Sequence, residues 1–224
     1  MKENDNGLTI EMSRFFDERA NTYDNHQKRT VSYFDSLHKA VAGAIEETGR
    51  GVRILDLGSG TGIEIEGILA RVPNARITCI DISDRMLDGL KGKYETLLEQ
   101  IEVVKGSFLD MPFQERYFDY VVSVLTMHHY TYEQKLNLYT KIRKALVPGG
   151  KYIEGDHVFP PEEEKRRLAW YRRQLKTNVI SPDDVYHIDI PFSLATQRKV
   201  LLEAGFSEIE LLFETEYAAA LSGC

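Results

Sequence analysis

Five short apolar runs, at 52–57, 76–80, 101–104, 118–124 and 151–154, alternate with stretches of helical periodicity, and this alternation leaves few folds open. Strands that alternate with helices build a parallel sheet covered on both faces. After the first run, a helix over Gly62–Ala70 turns Ile65, Ile68 and Leu69 inward. After the second, Ser83 caps a helix whose inner face is Met86, Leu87, Leu90, Tyr94 and Leu97. After the fourth, Thr131-Tyr132-Glu133-Gln134 reads as a capping box, in which Thr131 and Gln134 satisfy orphan amides at a helix start. That helix shows Leu138, Ile142, Ala145 and Leu146 and stops at Pro148-Gly149-Gly150.

The end of the chain breaks the rhythm. Ser193 caps a helix that ends at Gly205, and two strands, 207–213 and 216–221, follow with only a couple of residues between them. A connection that short requires an antiparallel hairpin, because a parallel return needs a crossover of about a dozen residues or more. The expected fold is therefore α/β: a Rossmann-like, doubly wound, seven-stranded sheet, mostly parallel, with a C-terminal antiparallel hairpin strand and helices on both faces. Two amphipathic segments precede it. The second carries Phe34, Leu37, Val41, Ala44 and Ile45 at three- and four-residue spacing and ends near Thr48-Gly49. With no repeat and no dividing linker, residues 1–224 read as one domain, with an N-terminal helical segment over about 8–48 and a helical insertion over about 160–191.

Composition narrows the function classes. A chain of 224 residues buries about 70% of its unfolded surface and needs no disulfide or metal staple. Its two cysteines fit neither a disulfide framework nor a zinc site: Cys79 lies in an apolar run and Cys224 is the last residue. A formal charge of −7 disfavours nucleic acid as the main substrate. The one basic run (Lys165, Arg166, Arg167, Arg172, Arg173, Lys176) follows Glu162, Glu163 and Glu164 and reads as the solvated face of a helix. The polar start, Met1 to Asn6, and the lack of about 20 consecutive apolar residues predict a cytoplasmic protein that does not span a membrane.

The chemistry concentrates in Ile54-Leu55-Asp56-Leu57-Gly58-Ser59-Gly60-Thr61-Gly62, where the first strand turns into the first sheet helix. Glycines there let the backbone pass close under a ligand and free amides at a helix N-terminus. The dinucleotide fingerprint needs glycine at the first, third and sixth positions, and the sixth position here is Ile63. Asp56, just upstream, would repel a pyrophosphate and attract an ammonium group, so the ligand reads as a nucleoside with a zwitterionic tail. Asp81, at the end of the second strand, can accept hydrogen bonds from both ribose hydroxyls, and its charge disfavours a phosphate there. Ile82 and Met86 offer an apolar surface to an adenine.

These residues resemble class I S-adenosylmethionine-dependent methyltransferases over nearly the whole chain. Phe16 to Asp24 resembles the N-terminal lid of small-molecule members, Leu55 to Gly62 their first motif, and Asp81 to Leu87 their second. Gly106 to Phe113 is similar to the adenine-binding turn, Phe118 to Ser123 to the fourth strand, and Leu146 to Gly150 to the turn before the fifth. The resemblance implies S-adenosylmethionine as cofactor, held by Tyr23, Asp56, Gly58, Ser59, Gly60, Asp81, Ile82, Met86, Ser107, Phe108 and Val124. One departure is Ser107, which stands where such families usually place an acid for the adenine amine; Asp110 is a substitute.

A sulfonium is already an activated methyl donor, so the protein's task is in-line positioning in a dry pocket. Should the acceptor start protonated, His128, His129 and His157 are the candidate catalytic residues, with Tyr130 and Asp156 beside them, all at carboxyl ends of strands. Three histidines and an acid also invite a metal, but adjacent residues do not easily ligate one ion, and the resemblance implies none; no metal is expected. The Pro160–Pro191 stretch, with Trp170 and Tyr171, is where such enzymes vary the acceptor pocket. The leading expectation is methyl transfer to a small-molecule acceptor by a monomer or homodimer. The alternatives are a carboxy-S-adenosylmethionine synthase-like enzyme, a non-catalytic S-adenosylmethionine-binding protein, or an oxidoreductase, which the missing sixth-position glycine disfavours.

Overall fold

The computed structural model describes residues 11–177, 179–180 and 186–224. The expectations on the first residues, including the polar Met1–Asn6 stretch and the start of the N-terminal segment, lie outside the described residues, as do 178 and 181–185 of the insertion.

Seven strands form one sheet: β1 (Arg53–Leu57), β2 (Arg76–Asp81), β3 (Ile101–Lys105), β4 (Phe118–Val124), β5 (Leu146–His157), β6 (Glu210–Glu214) and β7 (Ala218–Gly223). Their order is β3-β2-β1-β4-β5-β7-β6. The first five pair in parallel, and β7 is antiparallel to both β5 and β6. The short final connection therefore makes the hairpin its length demands, with residues 215–217 between the strands. Chain direction across the sheet reverses between β1 and β4, and the carboxyl ends of those two strands open a crevice, the usual ligand position in open α/β sheets.

Strand alternation divides the core in two. Leu55 and Leu57 of β1 face a cluster with Val121, Leu138, Tyr139, Ile142, Val200 and Leu201, which brings in helices α6 (Tyr132–Ala145) and α8 (Leu194–Glu203). Ile54 faces the opposite cluster, with Leu37, Val41, Ile65, Ile68, Cys79 and Val122, under α3 (Phe34–Gly43) and α4 (Ile63–Arg71). Helix α3 lies directly on the sheet: a Cβ on Gly155 of β5 would come within 2.7 Å of Val41 Cγ2, so glycine sets that spacing. Two more helices, α1 (Met12–Arg19) and α2 (Tyr23–Thr30), precede α3, and α5 (Asp84–Lys93) follows β2. Helix α7 (Pro161–Lys176) follows β5, with Lys165 paired to Glu162, and Arg166 and Arg167 to Glu163, as a solvated face should be.

Local signals hold at most ends. Ser83 Oγ accepts from Met86 N at 3.1 Å, Ser193 caps α8, and the Thr131–Gln134 capping box closes both of its bonds. Several boundaries differ: helix α5 ends at Lys93, short of Tyr94 and Leu97, and the last two strands run over Glu210–Glu214 and Ala218–Gly223 rather than 207–213 and 216–221. Helix α3 stops at Gly43, although Ile45 remains buried, and β5 begins at Leu146, before the Pro148-Gly149-Gly150 turn. Among the described residues, no helix is long and apolar enough to cross a membrane.

Candidate active site

The glycine turn folds back onto β2. Gly58 N and Ser59 N both donate to Ile80 O, at 2.8 and 3.2 Å, Gly62 N donates to Ser59 O at 2.7 Å, and Gly60 N donates to Asp81 Oδ2 at 2.8 Å. The sequence predicts free amides here; three of them instead hold the turn against the end of the second strand, and the Gly62 amide closes the turn on itself. The Gly58, Ser59 and Gly60 amides are therefore not free for a pyrophosphate. Gly58 has φ +72°, and a Cβ there would meet Thr126 Cγ2 at 2.4 Å, so the turn is also fitted to the segment after β4.

Asp81 stands at the centre. Its Oδ1 accepts from Ser83 N at 2.8 Å, opposite the Gly60 bond, which leaves each carboxylate oxygen a further lone pair toward the crevice. Burial pushes its acidity weaker than usual, against the backbone amides of Ser83, Gly60 and Ile82 that favour the anion.

A pocket of about 610 Å³, including its open mouth, sits on this floor. It is lined by Gly58, Gly60, Asp81, Ile82 and Met86, by Gly106, Ser107 and Phe108 after β3, by Leu125, Thr126, His129 and Tyr130 after β4, and by Met12, Phe16 and Tyr23 of the N-terminal helices. An adjoining recess of about 300 Å³ adds Ser59, Thr61, Glu64, Val124 and His38. The structure thus brings together nine of the candidate residues in the main pocket (Tyr23, Gly58, Gly60, Asp81, Ile82, Met86, Ser107, Phe108, His129) and places Ser59 and Val124 in the recess.

Three others lie elsewhere. Asp56 lines neither space. Two residues from Ile54, it shares that strand face and points toward α4, where Glu64 is buried. Neither oxygen of Asp56, nor Glu64 Oε1, nor Ser59 Oγ meets a hydrogen-bond partner, and burial, then the nearby Glu64 charge, pushes the Asp56 carboxyl well up. His128 sits behind His129, with Nδ1 2.6 Å from Asp156 Oδ1 and its backbone N donating to Asp156 Oδ2 at 2.9 Å. His157 faces away, with Nδ1 2.6 Å from Tyr33 Oη. Asp110, the substitute for the missing acid, is exposed and does not line the pocket.

Residues the sequence did not single out complete the site. Thr126 and Leu125 line the crevice next to Gly58. Asp189, from the stretch after α7, brings Oδ1 to 3.3 Å from His129 Nδ1 and 3.7 Å from His128 Nε2. His187 stacks on Phe15, with ring centroids 3.4 Å apart, and lies 4.7 Å from His129 by the same measure. Burial, then the neighbouring His128, lowers the basicity of His129.

The N-terminal helices are tied to this floor by two acids. Asp17 Oδ1 accepts from Ser83 Oγ at 2.6 Å and Arg85 N at 3.2 Å. Asp24 accepts from Thr61 Oγ1 at 2.5 Å and from Lys93 Nζ at 2.6 Å.

A family model described as a methyltransferase domain matches residues 54–150, the stretch from β1 to the turn in β5. The chain is 30% identical over 210 residues to the biotin biosynthesis bifunctional protein BioHC of Teredinibacter turnerae, covering 89% of this chain and 34% of that protein. It thus spans about a third of that relative's length. It is 29% identical over 221 residues to the carboxy-S-adenosyl-L-methionine synthase of Wolinella succinogenes, covering 88% of each. Among solved structures, human N-acetylserotonin methyltransferase in complex with SAM superposes with a TM-score of 0.64 at 18% identity, over 94% of this chain and 56% of that one, a likeness of fold.

Proposed function

We propose that this chain is a class I S-adenosylmethionine-dependent methyltransferase that moves the sulfonium methyl group to a small-molecule acceptor held beside His129. The observation that carries this reading is Asp81. Its carboxylate is anchored by two backbone amides and keeps lone pairs for a ribose diol, while the amides of Gly58, Ser59 and Gly60 are taken by Ile80 O and by Asp81 itself rather than left for a diphosphate.

The residues present fit the cofactor. Asp81 would take the ribose hydroxyls, and Ile82, Met86, Ser107 and Phe108 would enclose the adenine. Gly58, Gly60, Ser59 and Val124 would pass beneath the amino-acid arm, with Tyr23 over it. The unpartnered buried Glu64 Oε1 and Ser59 Oγ, from two residues that line the recess, would accept from an ammonium group directly or through water, while Asp56 lies outside that recess. S-adenosylmethionine contributes an electrophilic methyl group bonded to a cationic sulfur. The protein's part is to hold the acceptor in line with that group and to keep water out. Helices α1 and α2 would close the pocket as a lid through Met12, Phe16 and Tyr23, and the insertion around 160–191 would shape the acceptor side through His187 and Asp189. Of the three candidate histidines, His129 is the one in the pocket, and we assign it the contact with the acceptor.

A small molecule suits the charge distribution better than nucleic acid does: net charge is −7, and cations of α7 are paired with glutamates. We read the protein as cytoplasmic and as a monomer or homodimer. Incubation with methyl-labelled S-adenosylmethionine and a metabolite extract tests the proposal, which expects label in small-molecule products and stoichiometric S-adenosylhomocysteine. A chain that binds the cofactor and never releases S-adenosylhomocysteine would be a non-catalytic binder.

The similarity to the Wolinella succinogenes synthase along almost the whole of both chains keeps a second reading in play. Binding a carboxylated cofactor calls for a cation near the transferred group, and among the described residues no Arg or Lys lines the pocket. A mass measurement on ligand released from the purified protein separates the two readings.

A further inference from the structure

We infer that His128 Nε2, His129 Nδ1 and a carboxylate oxygen of Asp189 form a binding site for one divalent first-row transition-metal ion, which would receive an oxygen atom of the acceptor. The inference deepens the transferase reading and rests on it.

Adjacent histidines are poor candidates for one ion when the backbone is extended, because their side chains diverge. Here Met127–His129 forms a single 3₁₀ turn, and the two imidazoles lie side by side, with ring centroids 3.9 Å apart at 51°. Residues 187–190 then run past them, fixed by Ile190 N donating to His128 O at 2.8 Å, and deliver Asp189 opposite both rings. The three ligand atoms lie within 4.8 Å of one another. Donors about 2.1 Å from a common ion, at angles of about 90–110°, are separated by about 3.0–3.4 Å. The Asp189 oxygen is 3.3 and 3.7 Å from the two nitrogens, at and just beyond that range.

Hydrogen bonding accounts for only part of the arrangement. His129 Nδ1 faces Ile188 O and Asp189 Oδ1 at 3.3 Å each, while 3.7 Å from Asp189 Oδ1 to His128 Nε2 is too long for a hydrogen bond. His128 is oriented as a metal-bound imidazole is. Its Nδ1 faces Asp156 Oδ1 at 2.6 Å, which fixes the proton on Nδ1 and leaves the Nε2 lone pair facing Asp189. Asp156 is held in turn by the backbone amides of His128 and His157, at 2.9 and 2.7 Å. Two imidazole nitrogens with one carboxylate select a first-row transition ion over magnesium or calcium.

The ion's remaining positions would face the pocket through His129. An acceptor hydroxyl bound there would lose its proton to water. The resulting oxyanion would form the new O–C bond as the C–S bond breaks with its electron pair left on sulfur, giving a methyl ether and S-adenosylhomocysteine.

The test uses the full chain, free of any histidine tag and stripped of metal by a chelator. It is titrated with Co²⁺, followed by visible absorption, with Mg²⁺ and S-adenosylhomocysteine titrated separately. One Co²⁺ per chain, no response to Mg²⁺, and loss of the Co²⁺ spectrum in both Asp189→Ala and His129→Gln, each still binding S-adenosylhomocysteine, are expected. Asp156→Asn, a change to a positioning residue, should weaken Co²⁺ by about 10–100-fold and alter its spectrum. If the chain binds S-adenosylhomocysteine but not Co²⁺, or if both variants bind Co²⁺ as the parent does, the metal site is wrong and the transferase reading stands. If neither Co²⁺ nor S-adenosylhomocysteine binds, both fall.

Discussion

Gly60 donates its backbone N–H to Asp81 Oδ2 at 2.8 Å, and this one bond joins the two strand ends that build the pocket floor. On the proposed reading, Asp81 would be both a ligand for the cofactor and the clamp on the turn beneath it. Asp81→Ala should therefore weaken S-adenosylhomocysteine binding by about 1.5–3 kcal/mol, the scale of hydrogen bonds to a charged group. Asp81→Asn, which keeps a carbonyl acceptor, should fall between. Calorimetric titration measures both, and an unchanged Kd in the alanine variant would place the ribose elsewhere.

Gly58 tests the fit of the turn to the segment after β4. Its φ of +72° strains any other residue, and a new Cβ would lie 2.4 Å from Thr126 Cγ2. Gly58→Ala should cost about 1–3 kcal/mol for the left-handed backbone, plus the clash. Thr126→Ala in the same chain removes Cγ2 and Oγ1 but not Cβ, so urea denaturation should show partial rescue. Full recovery in the double variant would mean that backbone conformation contributes nothing.

The contacts of α1 and α2 with the pocket floor predict a kinetic effect. Asp17 and Asp24 hold α1 and α2 against Ser83, Arg85, Thr61 and Lys93. At about 0.5–1.5 kcal/mol per bond, the Asp17→Ala/Asp24→Ala pair should speed S-adenosylhomocysteine release by several-fold or more. Stopped-flow dissociation reads this directly; an unaltered off-rate would show that these helices do not gate the pocket.

A pH dependence follows from Glu154, fully inside the core, where it accepts from Tyr139 Oη and Tyr152 Oη at 2.7 Å each. Burial pushes this carboxyl up despite the charge of Lys135 and both tyrosine bonds. A group whose folded-state pKa is raised adds stability that is fully present below its unfolded value, about 4.3, and is lost as pH rises through the folded value. Glu154→Gln keeps an acceptor for both tyrosines and cannot ionise. Relative to that variant, the parent should lose stability as pH rises above about 4.3, by at most about 1.4 kcal/mol per pH unit. Urea midpoints at several pH values check the slope; parallel curves would contradict it.

Much of this was legible in the sequence because the signals are local. The hairpin of β6 and β7 followed from a connection too short for a crossover, and the starts of α5, α6 and α8 from Ser83, Thr131 and Ser193. The reach of α3 was overestimated for a physical reason. Ile45 continues the apolar spacing and is fully buried, but its carbonyl accepts from Arg71 Nε at 2.6 Å, so periodicity reported burial beyond the last helical turn. The glycine turn identified the crevice, yet glycines do not say which carbonyls their amides will meet, and Ile80 O and Asp81 claim them. Asp189 could not be found at all. It sits in an aperiodic stretch sixty residues beyond the histidines it faces, and only the 3₁₀ turn at Met127–His129 brings the three together.

Calorimetric titration of the full chain with S-adenosylhomocysteine and, separately, with NAD tests the central claim most directly. A single equivalent of S-adenosylhomocysteine bound, and no heat from NAD, is the predicted result, because the pocket floor offers a diol acceptor beside a recess lined by Glu64, while the amides of Gly58, Ser59 and Gly60 are bound to the end of β2. Uptake of NAD in its place, or a chain indifferent to S-adenosylhomocysteine, would contradict the account.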